Sequence, residues 1–403
     1  MSDPLNLLNE KSAKYSGPDS SRSVGWVVSR SVLLADEENP LPLDCGKTIA
    51  PVYVEYEVYG ELNEAKDNAI LIFHALSGDA HVAGWSKNAD QLGRPWLKNR
   101  PGWWDDMVGP GKAFDTKKFF IICSNILGSC YGTTGPASID PGAGRPYGLG
   151  FPVITVGDWV RLQERLVTYL GIKRLYAVAG GSIGGQQALE WALAYPDRVE
   201  RALIIASSPR LSDQGLSFNV IARYAIRTDP NFHSGDYYGG STPDRGLSVA
   251  RMLGHITYLS EISMQNKFGR KFCNGAGPGY HLGVDFEVEG YLRHQSESFV
   301  ERFDANSYLF ITRAADYYDA SLRGDGNLDQ ACQSIQCRTL LVSFSSDWLY
   351  PPEHMKELAL AMSRNRKHVS YVNIPSSYGH DAFLLEVDRL SHVVKSFLEG
   401  GTE

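Results

Sequence analysis

Residues 175–194 read LYAVAGGSIGGQQALEWALA, an apolar run and a helix-forming stretch joined through Gly180-Gly181-Ser182-Ile183-Gly184-Gly185. An apolar run without polar alternation suits a strand buried on both faces, which requires helices on both sides of its sheet. A strand that turns directly into a helix forces the turn residue into strained backbone angles, and the small neighbours Gly180 and Gly184 leave room for that turn at Ser182. The same turn sets Ser182 at a helix N-terminus, where free amides and the helix dipole favour developing negative charge. One segment thus predicts a strand, a helix and a nucleophile.

The rest of the chain repeats the pattern. Short apolar runs at 68–73, 119–123, 202–206, 339–343 and 369–374 are accompanied by helical stretches such as 158–170 and 186–194. From Val52, VYVEYEVYG alternates apolar and polar as an outer strand with one exposed face does. Between Pro209 and Gln333 strand-like runs are few, and helical ones such as 248–258 and 297–318 take over; a closing amphipathic helix covers 381–398. A chain of 403 residues exceeds what one hydrophobic core organises. The expected architecture is α/β: a mostly parallel sheet with helices on both faces forms a core from 31–208 and 334–403. A helical cap (lid) at 209–333 interrupts it, and an aperiodic arm at 1–30 precedes it.

GxSxG between a strand and a helix points to the α/β-hydrolase fold, in which the base and its orienting acid follow in the order Ser, Asp, His. Asp347, just past the run 340–344, and His380, past the run ending at Ile374, stand where that order requires them. His392 falls inside the last helix and reads as a surface residue. The oxyanion hole is expected from the backbone amides of Ile183 and of Leu76, the latter in the loop His74–His81 after an early strand. His74, Asp79 and His81 lack regular ligand spacing and a cysteine partner, so no metal site is expected.

Composition narrows the partners. Hydrophobic residues at 43% and charged residues at 21% are the balance of an ordinary globular chain. A net charge of -7 with no long Lys/Arg block argues against nucleic acid or an anionic membrane. Six cysteines without CxxC spacing, no signal-peptide pattern and no long apolar span predict a cytoplasmic location.

The strings LPLDCGKTIAPVYVEYEVYGELN, FHALSGDAHVAG, PGWWDDMVGPGKAFDT, SNILGSCYGTTGP, GGSIGGQQALEWA, ARMLGHITYLS, VERFDANSYLFITRAADYYD and SFSSDWLYPP closely resemble the homoserine O-acetyltransferase family, from about Val32 to Leu398. The resemblance implies acetyl transfer from acetyl-CoA to the hydroxyl of L-homoserine in methionine biosynthesis, through a Ser182 acyl-enzyme with ping-pong kinetics and no bound cofactor. It also implies that Arg223 binds the acceptor carboxylate, that Asp381 receives its amino group, and that the cap helices build a homodimer. Departures are Cys45, Ile183 where relatives commonly carry Met, and a Gly- and Tyr-rich loop at 235–245. Other members of the resemblance use succinyl-CoA or acylate serine, and the triad alone also fits a carboxylester hydrolase. A non-catalytic binding protein would be expected to have lost a triad residue.

Overall fold

The computed structural model describes residues 17–275 and 277–400. Eight strands form the main sheet: β1 (Arg30–Ala35), β2 (Val52–Tyr59), β3 (Ala69–Phe73), β4 (Phe120–Ser124), β5 (Ala177–Gly181), β6 (Arg201–Ile205), β7 (Arg338–Phe344) and β8 (Val369–Ile374). Their spatial order is β8-β7-β6-β5-β3-β4-β2-β1. The six from β8 to β4 run parallel, while β2 is antiparallel to both of its neighbours.

Alternation along each strand sorts side chains into two cores. Leu71, Phe73, Val178, Ile204 and Leu341 pack with Trp159 and Leu166 of α1 (Val156–Tyr169), Leu189 and Trp191 of α2 (Ile183–Ala194), and Met355 and Leu358 of α9 (Pro352–Arg364). Their neighbours Ile70, Ile72, Ala179, Leu203 and Val342 pack on the opposite face with Trp104 and with Leu390, Val394 and Phe397 of α11 (Val387–Glu399). Helix α1 begins at a capping box in which Thr155 and Asp158 satisfy each other's backbone N–H.

After Ile205 the chain leaves the sheet and returns only at Arg338. Between them lie α3 (Asp213–Arg227), α4 (Asp244–Tyr258), α5 (Glu261–Phe268), α6 (Glu287–Val300), α7 (Ala305–Tyr317) and α8 (Leu328–Cys332), which supply the helical cap. Of the expected arm at 1–30, residues 1–16 lie outside the described residues, and Trp26–Val27 pair in parallel with Trp85–Ser86.

Several expectations need correction. The apolar run opening at Leu175 becomes a strand only from Ala177 to Gly181, and its helix starts at Ile183 rather than Gln186, so no loop separates strand from helix beyond Ser182 itself. The single helix expected at 297–318 is two: the first ends at Val300, and Asp304 caps the next by accepting from the Ser307 N–H at 2.8 Å. The hydroxyls of Tyr237 (2.6 Å) and Tyr238 (3.1 Å) donate to the same carboxylate, which gives the Gly- and Tyr-rich loop its structural task. The closing helix is likewise divided, into α10 (Ala382–Leu385) and α11.

The expected outer strand, β2, is covered instead: β1 flanks it, and Glu55 and Glu57 on its polar face are buried. Their charges are matched on the spot. Arg94 grips Glu55 with both terminal nitrogens, one at 2.9 Å. Glu57 accepts from the hydroxyls of Ser29 and Tyr59 and faces His81 Nδ1 at 3.0 Å. Burial alone would pull the His81 imidazole down, but the Glu57 carboxylate holds it above the usual histidine value.

Candidate active site

Strand β5 ends at Gly181, α2 begins at Ile183, and Ser182 between them has φ 60° and ψ −127°. That region costs a non-glycine residue about 1–3 kcal/mol, so the surroundings must enforce it. A Cβ on Gly184 would lie 2.4 Å from the Phe73 carbonyl oxygen, and one on Gly180 would lie 2.3 Å from the Gly184 carbonyl oxygen. The motif's outer glycines are therefore set by backbone approach. The Ser182 carbonyl accepts from the Ser207 hydroxyl at 2.8 Å and from the Gly185 N–H at 2.9 Å.

Asp347 and His380 follow the C-terminal ends of β7 and β8, on the sheet edge where β5 delivers Ser182, so distant segments meet. His380 Nε2 is 2.8 Å from Ser182 Oγ, and its Nδ1 is 2.7 Å from Asp347 Oδ2. Asp347 Oδ1 accepts from the backbone N–H groups of Leu349 (3.1 Å) and Tyr350 (2.9 Å). Because a carboxylate only accepts, Nδ1 carries the proton and Nε2 is left to accept from the Ser182 hydroxyl. Ser182, Asp347 and His380 are 7%, 3% and 3% exposed. Burial among the rings of Tyr350, Phe383 and Tyr258 depresses the imidazole's affinity for a proton. The Asp347 charge and hydrogen bond, with Asp381 adding to them, reverse this and raise its pKa above 6.5.

Leu76 and Ile183 line the same cavity as Ser182. Among the described residues neither backbone N–H has a protein acceptor. The Leu76 loop is held from several sides. His74 Nδ1 donates to the Ala75 carbonyl (2.8 Å), its Nε2 accepts from the Ile126 N–H (3.2 Å), and Trp103 donates to the Asp79 carbonyl (3.0 Å). Burial keeps the His74 imidazole below its usual value, in keeping with this neutral tautomer. His81 serves Glu57, and among the described residues no group of three or more His, Cys, Asp or Glu side chains is placed to hold a metal.

The cavity is roofed from the cap by Phe218 and Asn219 of α3, Leu253 and Tyr258 of α4, and Tyr308 of α7, with Leu349 and Tyr350 beside the triad. A strap from the cap also touches both triad loops. The Leu259 carbonyl accepts from Trp348 Nε1 (3.0 Å), the Ser260 hydroxyl donates to the Ser377 carbonyl, and Gly379 packs on 258–260. Gly379 has φ 74°, and a Cβ there would lie 2.5 Å from the Ser260 nitrogen.

Arg223 lies one turn beyond Asn219 and is buried, with Nη2 2.5 Å from Asp316 of α7; Nη1 has no hydrogen-bond acceptor among the described residues. Asp381 is half-buried beside His380, and its charge reaches Arg251 and Lys267. Tyr258, Ser207, Arg251 and Arg302 escaped sequence reasoning, since each reaches the site through packing between segments far apart in the chain.

A serine hydroxyl bonded to a histidine that an aspartate orients, at a strained strand-to-helix turn, defines a protein of the α/β-hydrolase class equipped for acyl transfer. The model of the alpha/beta hydrolase fold family matches residues 68–387. Homoserine O-acetyltransferase of Deferribacter desulfuricans is 51% identical over 93% of this chain and 96% of its own length. Homoserine O-succinyltransferase of Alkalilimnicola ehrlichii is 50% identical over 94% and 96%. The crystal structure of homoserine O-acetyltransferase from Bacillus anthracis superposes with a TM-score of 0.84 at 30% identity, covering 94% of this chain and 99% of that one. Esterase E22 superposes at 0.82 and 32% identity, covering 93% and 100%. The chain belongs to the homoserine O-acetyltransferase family.

Proposed function

We propose that this protein transfers the acetyl group of acetyl-CoA to the hydroxyl of L-homoserine through an acyl-enzyme on Ser182. The hydrogen-bonded chain Ser182–His380–Asp347 beneath the cap carries the reading. Ser182 Oγ attacks the thioester carbonyl as His380 Nε2 takes its proton, and the amides of Leu76 and Ile183 receive the oxyanion. His380 returns the proton to the departing CoA sulfur. The homoserine hydroxyl then gives its proton to His380 and attacks the acyl-serine, and the intermediate collapses by expelling Ser182 Oγ, which takes that proton back from His380. Arg223 takes the acceptor carboxylate through its unpartnered Nη1, and Asp381 takes the amino group; opposite charges at the two ends of a zwitterion fix the hydroxyl's approach.

Relatives of near-equal identity carry acetyl and succinyl names, and a structural neighbour is an esterase, so donor and acceptor are what must be tested. The pure protein is incubated with homoserine or serine and with acetyl-CoA or succinyl-CoA, and the ester is identified by mass. O-acetylhomoserine is the expected product; free acetate formed at a rate indifferent to homoserine would exclude the transferase.

We infer further that the chain dimerises through its cap. Val220, Ile221 and Tyr224 on α3 are 56%, 52% and 70% exposed, a spacing that places them on adjoining faces of one helix, and Val249 and Ile256 of α4 are also exposed. Sedimentation should give a dimer that Tyr224→Asp shifts toward monomer; a monomeric wild type at micromolar concentration counts against it. Six cysteines without a disulfide suit a reducing cytoplasm. Among the described residues no helix is long and apolar enough to cross a membrane.

A further inference from the structure

Cations outnumber acids in a cluster behind the wall of the Ser182 cavity. The guanidinium of Arg251, on α4, lies 4.6 Å from the centroid of the buried Phe299 ring, and that of Arg302, in the turn between α6 and α7, lies 5.2 Å from the same ring. One aromatic side chain thus brings together two positive groups that ordinarily repel. Arg251 also meets the cavity wall, and Arg302 the loop that carries Leu76. Arg251 lies 5.9 Å from the ring of Tyr258, whose own ring is 6.1 Å from that of His380. Arg302 donates to the Tyr131 hydroxyl at 2.6 Å and, at 3.4 Å, to the carbonyl of Ser77, the residue after Leu76.

Among the described residues, neither arginine has a carboxylate within ion-pair distance, and Arg251 Nε is buried without an acceptor. Two more cations adjoin them. Arg100 is near enough to Arg302 that their charges depress its pKa together with burial, and Lys267 Nζ sits 3.7 Å from the centroid of Tyr291. Two acids reach this group with their fields, Asp381 at Arg251 and Lys267 and Asp79 at Arg100. On a chain of net charge -7, such a surplus beside the nucleophile has a physical cost that a bound anion would offset.

We propose that Arg251 and Arg302 together bind an oxyanion carried by the acyl donor, either a phosphate of its carrier or a carboxylate at the far end of its acyl group. The inference rests on the acyl-transfer reading of Ser182. Guanidinium groups present paired N–H donors that match the oxygens of either anion, and the partly buried setting strengthens the attraction. An acceptor amino acid fits less well, because its ammonium group would meet the same cations.

The test measures kcat/KM for acetyl-CoA, succinyl-CoA and S-acetylpantetheine, which lacks the phosphates, at saturating homoserine. It uses the wild type and the variants Arg251→Gln, Arg302→Gln and Arg302→Lys. Losing one charge-assisted contact should lower kcat/KM for the anionic donor about tenfold to a hundredfold, with partial recovery in the lysine variant. A loss with acetyl-CoA that clearly exceeds the loss with S-acetylpantetheine assigns the anion to phosphate. A loss with succinyl-CoA that exceeds the loss with acetyl-CoA assigns it to the acyl carboxylate. Equal losses with all three donors, no loss, or a change confined to the KM of homoserine would overturn the proposal. Should a variant not fold, inorganic pyrophosphate is tried against the wild type: competition with the donor is expected, and its absence is equally fatal. A wild type that transfers from none of the donors would instead defeat the acyl-transfer reading itself.

Discussion

Replacing Ser182 with alanine should reduce kcat for acyl transfer by about 10⁴-fold or more, with residual turnover left to the oxyanion donors and substrate binding. The variant removes the atom that His380 Nε2 meets at 2.8 Å and leaves the rest of the site in place. Rapid mixing with acetyl-CoA should show CoA release in a burst from the wild type and none from the variant, and intact-protein mass should show the acetyl adduct only on the former. Turnover within about tenfold of wild type would mean that another group accepts the acyl chain, since loss of a covalent nucleophile is not compensated so closely.

Asp347→Asn should cost about 10⁴-fold in kcat by a different route. The two backbone N–H groups that bond Oδ1 hold the side chain's carbonyl oxygen there, which turns the new NH2 toward His380 Nδ1. Nδ1 must then accept, Nε2 must carry the proton, and the ring can no longer take one from Ser182. The pH profile gives an independent readout. The base works when neutral, so wild-type activity should rise through an inflection above 6.5, where the Asp347 charge holds the imidazole against the pull of burial. Without that charge burial prevails and the inflection moves to lower pH; an inflection left in place would detach Asp347 from the base.

The meeting of Ser182, His380 and Asp347 was readable because two local signals coincide: each residue falls just past a buried apolar run, and the three stand in the chain order the fold requires. Where one local pattern serves two environments, the reading failed. VYVEYEVYG alternates whether its carboxylates face water or face Arg94 and His81, and those partners lie far along the chain. The break at Asp304 was hidden because the helix-forming character continues across it, while the tyrosines that hold its carboxylate come from a separate loop. Arg223 in isolation looks like a surface helix residue, yet α7 brings Asp316 onto it. Arg251 and Arg302 meet over Phe299, and no spacing rule joins residues of separate segments.

The strap at 258–260 bears on how such a protein diversifies. Because Leu259 holds the Trp348 indole and Ser260 holds the Ser377 carbonyl, the end of α4 is a shared part of two modules rather than a detachable roof. A chimera that exchanged the whole cap for a foreign one would disturb the loops carrying Asp347 and His380 even if every new helix folded. Exchanging only α3 and the outward faces of α4 and α6 would leave that junction intact. Substrate range is therefore free to drift with the cavity-lining face of α3, while the tripeptide nearest the base is committed to keeping the machine aligned.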